Sequence, residues 1–321
     1  MSVLGEFELI ARYFTRAPRR ATLGIGDDCA LLAPLPAGQQ LAVSSDMLVE
    51  GRHFLSTVAP QRLGHKALAV NLSDLAACGA EPIAFTLALS MPRVDEAFLE
   101  GFSRGLFALA ETHGIELVGG DTTAGPLSLC ITVLGAVPAG KALLRSGASA
   151  GDDLWASGTL GDARLALEVF RGTVSLAADA FEAVRARMES PTPRVALGLA
   201  LRGVASSAID LSDGLVGDLG HVLARSGVGA TVNADALPMS AVLASMPQAL
   251  QYECTLAGGD DYELLFTAPP SRESDVKAAA GQAGVAVTRI GRIDAAPNLR
   301  LVDGHGAPLG QRFTAFDHFR T

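Results

Sequence analysis

The chain is short of lysine: Lys66, Lys141 and Lys277 are all it contains, and none stands in a glycine-rich loop. No basic run is longer than Arg19-Arg20, and the net charge is −9. A nucleic-acid surface neutralises phosphates with clustered Lys and Arg, so no nucleic-acid partner is expected. The GxxxxGK[ST] loop is missing, and so are the kinase signatures HRDLxxxN and DFG. Gly24 and Gly26 lack the third glycine of a dinucleotide fingerprint. Cys29, Cys78, Cys130 and Cys254 form no CxxC pair, which argues against a zinc ribbon or a redox motif and for reduced thiols in the cytoplasm. No apolar run approaches the roughly 18 residues of a membrane span, and MSVLGEFELI carries glutamates where a signal peptide is positive, so no membrane partner is expected. The calcium-loop pattern DxDxDG is absent too.

What is present is 321 residues with 49% hydrophobic content, enough for two packed domains. Short apolar or β-branched runs predict strands at 40–45, 85–90, 128–137, 153–157, 207–211 and 263–267. Longer segments with helical spacing predict helices over 62–79, 96–113, 162–170, 181–188 and 214–225. Between Pro138 and Gly151 the composition shifts to Gly, Ala and Ser, which places a domain boundary near residue 147.

The aspartates carry the strongest chemical signal. Asp28, Asp46, Asp74, Asp121, Asp210 and Asp213 each end an apolar strand or lie in an otherwise apolar helix. A turn or N-cap accounts for any one of them, and Asp213, between Ser212 and Gly214, is the best cap candidate. One shared acidic site accounts for all six more economically. Buried carboxylates cost several kcal/mol per ion unless cations neutralise them, and no Lys or Arg stands between Arg20 and Arg52 around GIGDDCALL. Hard oxygen donors without a His or Cys cluster select Mg²⁺, Mn²⁺ or Ca²⁺. Mg²⁺ commonly shares its shell with substrate phosphates, so a nucleotide is the expected guest. A metal-stabilised scaffold whose aspartates serve folding alone is the competing expectation.

The segments GIGDDCA, SSDMLVEGRHF, NLSDLAACGA, GGDTT, RSGASAGDDLWASG, DLSDGL, GGDDYELLF and FDHF, in this order across nearly the whole chain, resemble the thiamine-monophosphate kinase family. That family belongs with aminoimidazole ribonucleotide synthetase, selenophosphate synthetase and the hydrogenase maturation protein HypE. The resemblance implies transfer of the γ-phosphoryl of ATP to thiamine monophosphate, giving thiamine diphosphate, with several Mg²⁺ ions. It also implies an N-terminal α/β domain (1–147) that binds ATP and Mg²⁺ and carries a dimer-forming sheet. A C-terminal α+β domain (148–321) would complete the ATP and substrate cleft, as in aminoimidazole ribonucleotide synthetase-like ATP-binding proteins, in a homodimer. By the same resemblance Asp28, Ser44, Ser45, Asp46, Asp74, Asp121, Asp210 and Asp213 form the metal-binding set. Gly120, Asp121, Arg145 and Ser212 contact ATP, and His53, Asp260 and Phe316 contact thiamine monophosphate. Three positions depart from the family: Asp260 where Glu is frequent, Phe316 where Trp is usual, and Ser103 where Tyr is frequent; Ser103, which cannot stack, receives no ligand role. No catalytic base is expected, because the acceptor phosphate is already largely deprotonated near neutral pH.

Overall fold

The computed structural model describes residues 4–314. They divide into two compact units, residues up to 75 with 80–140, and residues 76–79 with 141 onward. The division falls at the start of the Gly, Ala and Ser stretch.

The first unit opens with a short helix α1 (Glu6–Leu9) that runs into a π-helical turn (Ile10–Phe14), then the small pair β1 (Ala21–Leu23) and β2 (Leu31–Leu32). Its main sheet is built from β3 (Gln39–Val49), β4 (Glu81–Met91), β5 (Glu116–Ala124) and β6 (Ser128–Pro138), in the order β3-β6-β4-β5. Strand β6 pairs antiparallel with both β3 and β4, and β5 runs parallel to β4. Helices α2 (Pro60–Cys78) and α3 (Glu96–His113) supply the apolar cover. Leu63, Leu68 and Leu72 of α2, Leu99, Phe102 and Leu106 of α3, and Phe85 and Val133 of the sheet are fully buried. Helix α3 begins and ends where its sequence says: the Asp95 carboxylate accepts the Phe98 N–H, and Gly114 closes the helix in the left-handed region.

Strand β5 is where pattern and structure part. Its GGDTT end reads as a Gly-Asp turn, yet the strand continues through Gly119 and Gly120 with a bulge against β4. Gly120 has φ +149°, and a Cβ there would lie 1.8 Å from the Leu87 carbonyl oxygen. Only glycine lets the chain cross β4 that closely.

The second unit holds a six-stranded mixed sheet made of β7 (Asp153–Ser157), β8 (Ser207–Asp210), β9 (Gly229–Asn233), β10 (Leu264–Ala268), β11 (Val287–Asp294) and β12 (Leu299–Val302). Its order is β12-β9-β11-β7-β10-β8, and only the β12–β9 pair is parallel. Helices α4 (Asp162–Phe170), α5 (Ala178–Glu189), α6 (Val195–Leu201), α7 (Leu215–Ser226), α8 (Ala241–Ala244), α9 (Gln248–Ala257) and α10 (Glu273–Ala283) complete it. The central strands β7 and β10 are buried at every residue, and each centres on a short apolar run, 154–156 and 264–266. Trp155 and Phe266 stack across them with ring centroids 6.4 Å apart.

Candidate functional site

In the first unit the candidate residues gather where β3 meets α2. Residues two apart on a strand share a face, and residues three apart on a helix do too. Ser44 and Asp46 on β3 thus meet Asn71 and Asp74 on α2. The Ser44 hydroxyl donates to Asp74 Oδ2 at 2.5 Å, and the Asp46 backbone N–H donates to Asn71 Oδ1 at 3.1 Å. Asn71 is buried and fixes its own amide by donating to the Ala67 carbonyl. Ser45 lies on the other face, where its hydroxyl pairs with Thr132 Oγ1 at 2.9 Å. His53 follows β3, and its Nδ1 accepts the Val49 N–H at 3.0 Å, which puts the proton of the neutral ring on Nε2. Asp28 is exposed in the GIGDD turn, with its N–H held by Asp27 Oδ1 at 2.9 Å.

Asp121 stands apart from this group. It lies opposite Ala88, in a row that continues through Cys130 to Met47, and it lines a depression of about 110 Å³ with those residues. Asp46 lies in the next row, with Ile131, Leu87 and Gly120, on the opposite face. Three strand spacings put Asp121 roughly 14 Å from β3, too far for one ion to bind both within a single chain. Among the described residues no group of three His, Cys, Asp or Glu side chains is disposed to hold a metal ion.

In the second unit two motifs are knit into one structure. The Asp260 N–H donates to the Ser212 carbonyl at 2.9 Å, the Tyr262 N–H to the Leu211 carbonyl at 2.8 Å, and the Leu211 N–H to the Glu263 carbonyl at 2.9 Å. Asp210, Ser212, Asp213 and Asp260 are thereby brought together. Asp260 and Tyr262 adopt φ +69° and +50°, the left-handed region that costs a side-chain-bearing residue about 1–3 kcal/mol and that clusters at ligand sites. The Tyr262 hydroxyl donates to Asp260 Oδ1 at 3.1 Å and aims that carboxylate. Glu263, fully buried, anchors the loop: Arg194 engages it through Nε and Nη2 at 2.6 and 2.5 Å, Arg187 through Nη2 at 2.8 Å, and the Ser157 hydroxyl donates at 2.5 Å.

The capping role open to Asp213 goes elsewhere. The N-cap position of α7 is Gly214, with no side-chain cap. Instead Asp218, in the first turn of α7, accepts the N–H groups of Ser212, Asp213 and Gly214 on its Oδ2, each at 3.1 Å. Burial pushes its carboxyl up to about 7, helped by the Asp213 charge and opposed by the three donors. Sequence reasoning missed Asp218, Asn71 and Glu263. A carboxylate one turn into a helix that follows an Asp-Gly turn was the available signal for the first.

Arg145 is exposed in the segment before β7, where its carbonyl accepts from the Ser226 hydroxyl at 3.2 Å. Ser103 is buried, donates to the Glu100 carbonyl at 3.3 Å, and lines a hollow of about 600 Å³ with Arg12, Arg16 and Phe107. Phe316 lies outside the described residues. The candidate metal donors are carboxylates and hydroxyls alone, a set that fits a hard divalent cation such as Mg²⁺ and not zinc.

The comparisons with known proteins agree with this architecture. The family model for the AIR synthase related protein N-terminal domain matches residues 26–137, and that for the C-terminal domain matches 149–304. The two-domain chain is therefore an AIR synthase related protein. The thiamine-monophosphate kinase of Salmonella typhimurium is 49% identical over 99% of both chains, and that of Escherichia coli 47% over 99% of both. The crystal structure of thiamine-monophosphate kinase from Stenotrophomonas maltophilia superposes with TM-score 0.84 at 47% identity, over 90% of this chain and 92% of that one. AaThiL complexed with AMPPCP and TMP gives TM-score 0.77 at 29% identity over 90% of each chain. HypE in complex with ATP, at 20% identity and TM-score 0.79 over 97% and 95% of the chains, shares the fold. The chain belongs to the thiamine-monophosphate kinase family.

Proposed function

We propose that this protein transfers the γ-phosphoryl group of ATP directly to the phosphate of thiamine monophosphate, forming thiamine diphosphate and ADP. The observation that carries the proposal is the 47–49% identity to thiamine-monophosphate kinases over 99% of both chains. AaThiL, holding AMPPCP and TMP together, supports a nucleotide and a second ligand bound at once.

The residues take the following roles in this reading. Asp28, Ser44, Ser45, Asp46, Asp74, Asp121, Asp210 and Asp213 would hold Mg²⁺, whose chemistry when bound is to neutralise charge between two anionic reactants. Gly120 exposes backbone where a side chain is excluded, and with Asp121, Arg145 and Ser212 it would receive ATP; a guanidinium forks onto two phosphate oxygens. His53 and Asp260 would orient thiamine monophosphate, joined by Phe316. The acceptor phosphate needs no base, since its second pKa is about 6. What the chain supplies is position: Asn71 and Asp74 fix the polar segment of β3, and Glu263 and Tyr262 fix Asp260.

The domain roles follow: residues 1–147 for ATP and Mg²⁺ binding and dimerisation, 148–321 for completing the nucleotide and substrate site. A homodimer is supported by β3, whose Leu41, Val43 and Met47 leave 49%, 60% and 58% of their surfaces exposed on one face of an edge strand. A cytoplasmic location is supported by four cysteines that form no disulfide, and no described helix is long and apolar enough to cross a membrane.

The test is ADP release from Mg-ATP with thiamine monophosphate, thiamine, aminoimidazole precursor or selenide added singly. Turnover with thiamine monophosphate alone is expected; equal turnover with another acceptor would refute the assignment.

A further inference from the structure

The roles above leave the buried carboxylate of Asp218 without a task. Asp218 is 3% exposed, and no role in holding ATP, Mg²⁺ or thiamine monophosphate falls to it. Its Oδ2 nevertheless collects three consecutive amides, those of Ser212, Asp213 and Gly214. Three successive N–H groups converging on one point form an anion-binding nest. Here the chain fills its own nest.

The consequence is geometric. The Gly214 carbonyl accepts the Gly217 and Asp218 N–H groups at 3.0 Å each, so the loop and the helix start close on each other. Gly214 itself has φ +110°, a conformation that L side chains rarely adopt and that glycine reaches freely but does not by itself hold. On the far side the same loop is fixed through carbonyls, Leu211 receiving Tyr262 and Ser212 receiving Asp260. The carbonyls of Leu211, Ser212 and Gly214 thus accept from backbone, and the donors at 212–214 are satisfied by one side chain. Remove that side chain and three buried or half-buried N–H groups lose their shared partner while the flexible glycine turn loses its restraint.

We propose that Asp218 is a positioning residue for phosphoryl transfer: by gathering the amides of 212–214 it sets the directions in which Ser212 and Asp213 present their side chains to ATP and its divalent cation, touching neither itself. The inference rests on the kinase reading above, and the experiment keeps the two apart.

The full-length protein is titrated calorimetrically with a non-hydrolysable ATP analogue in Mg²⁺, and KM for ATP and kcat are measured in parallel. The variants are Asp218→Ala, Asp218→Asn, Asp213→Asn and, as a control for lost stability, Val232→Ala in the buried strand β9. Loss of one hydrogen bond to a charged ligand group weakens binding by roughly 10- to 100-fold. Asp218→Ala is therefore expected to weaken analogue binding by about 10- to 100-fold and to raise KM more than it lowers kcat. Asp218→Asn, which keeps an oxygen where the amides converge, is expected to stay within about threefold of wild type. Val232→Ala, with a comparable fall in Tm, is expected to bind as wild type does. Wild-type binding by Asp218→Ala, or an equal loss in Val232→Ala, overturns the proposal. Should Asp218→Ala not fold, Asp218→Glu, which keeps the charge and moves the oxygens, takes its place under the same criterion. Failure of the wild-type protein to bind the analogue removes the kinase reading and this inference with it, whereas wild-type binding by Asp213→Asn takes away the group that Asp218 is said to position and overturns the inference alone.

Discussion

Asp261, next to the proposed substrate contact Asp260, has its carboxyl fully enclosed, and burial pushes its pKa well above the usual carboxylate value. The Gly161 N–H, at 2.9 and 3.0 Å from its two oxygens, and the Arg187 charge oppose the rise, while Glu263 and Asp162 add to it. A folded pKa above the unfolded one favours the protonated form. Its contribution to stability is complete below the unfolded value of 3.8 and is lost as pH climbs toward the raised value. Asp261→Asn retains an acceptor for Gly161 and cannot ionise. The Tm of this variant minus that of wild type is expected to grow as pH rises above about 4, where the unfolded chain releases the proton that the fold retains. Scanning calorimetry at stepped pH reads this out, and a difference flat in pH would contradict it. The residue scale is also where the sequence was least legible. Asp28, Asp46 and Asp210 announce themselves by apolar company, but Asn71, Asp218 and Glu263 act by holding other groups. Their partners lie 25, 5 and 69 or more residues away in sequence or bond through backbone, so no local pattern marks them.

At the scale of elements, what could be read depended on burial and punctuation. Strand β7 and helix α3 match their sequence readings to the residue, one because Asp153 and Ser157 bound its apolar centre, the other because Asp95 and Gly114 cap it. Strand β3 reads as 40–45 but extends to Val49, because Ser44, Ser45 and Asp46 interrupt the apolar alternation while their polar atoms are tied to α2 and β6. Strand β5 was hidden by its glycine pair, and β11 by Arg289, Gly291 and Arg292 within eight residues. The exposed face of β3 bears on assembly. Val43→Asp, at a position 60% exposed, costs the isolated chain little but would bury a charge in a sheet-to-sheet dimer. Sedimentation equilibrium is expected to find wild type dimeric and Val43→Asp shifted to monomer, with unchanged circular dichroism. A wild-type monomer, or a variant that dimerises equally well, would rule this face out as the dimer surface.

At the scale of the whole molecule, the candidate carboxylates are shared between two units, four in the first and Asp210 and Asp213 in the second. That division explains both the strength and the limit of the sequence reading. Eight short motifs in order identified the family and the two-part architecture, since order along a chain is what a sequence records. Distances between rows of a sheet are not: the separation of Asp121 from Asp46 by three strands follows only from the order β3-β6-β4-β5. A lysine-poor, acidic chain that lacks every common phosphate-binding loop can still handle ATP if carboxylates and divalent cations replace lysine. Every role given to these residues serves direct transfer between two phosphates. The most direct measurement supplies ATP labelled in its γ-phosphate, with thiamine monophosphate and Mg²⁺, and locates the label in the products. Stoichiometric label in the terminal phosphate of thiamine diphosphate, with none in free phosphate, is expected. Label released as inorganic phosphate, or ATP consumed without thiamine diphosphate, would contradict direct transfer.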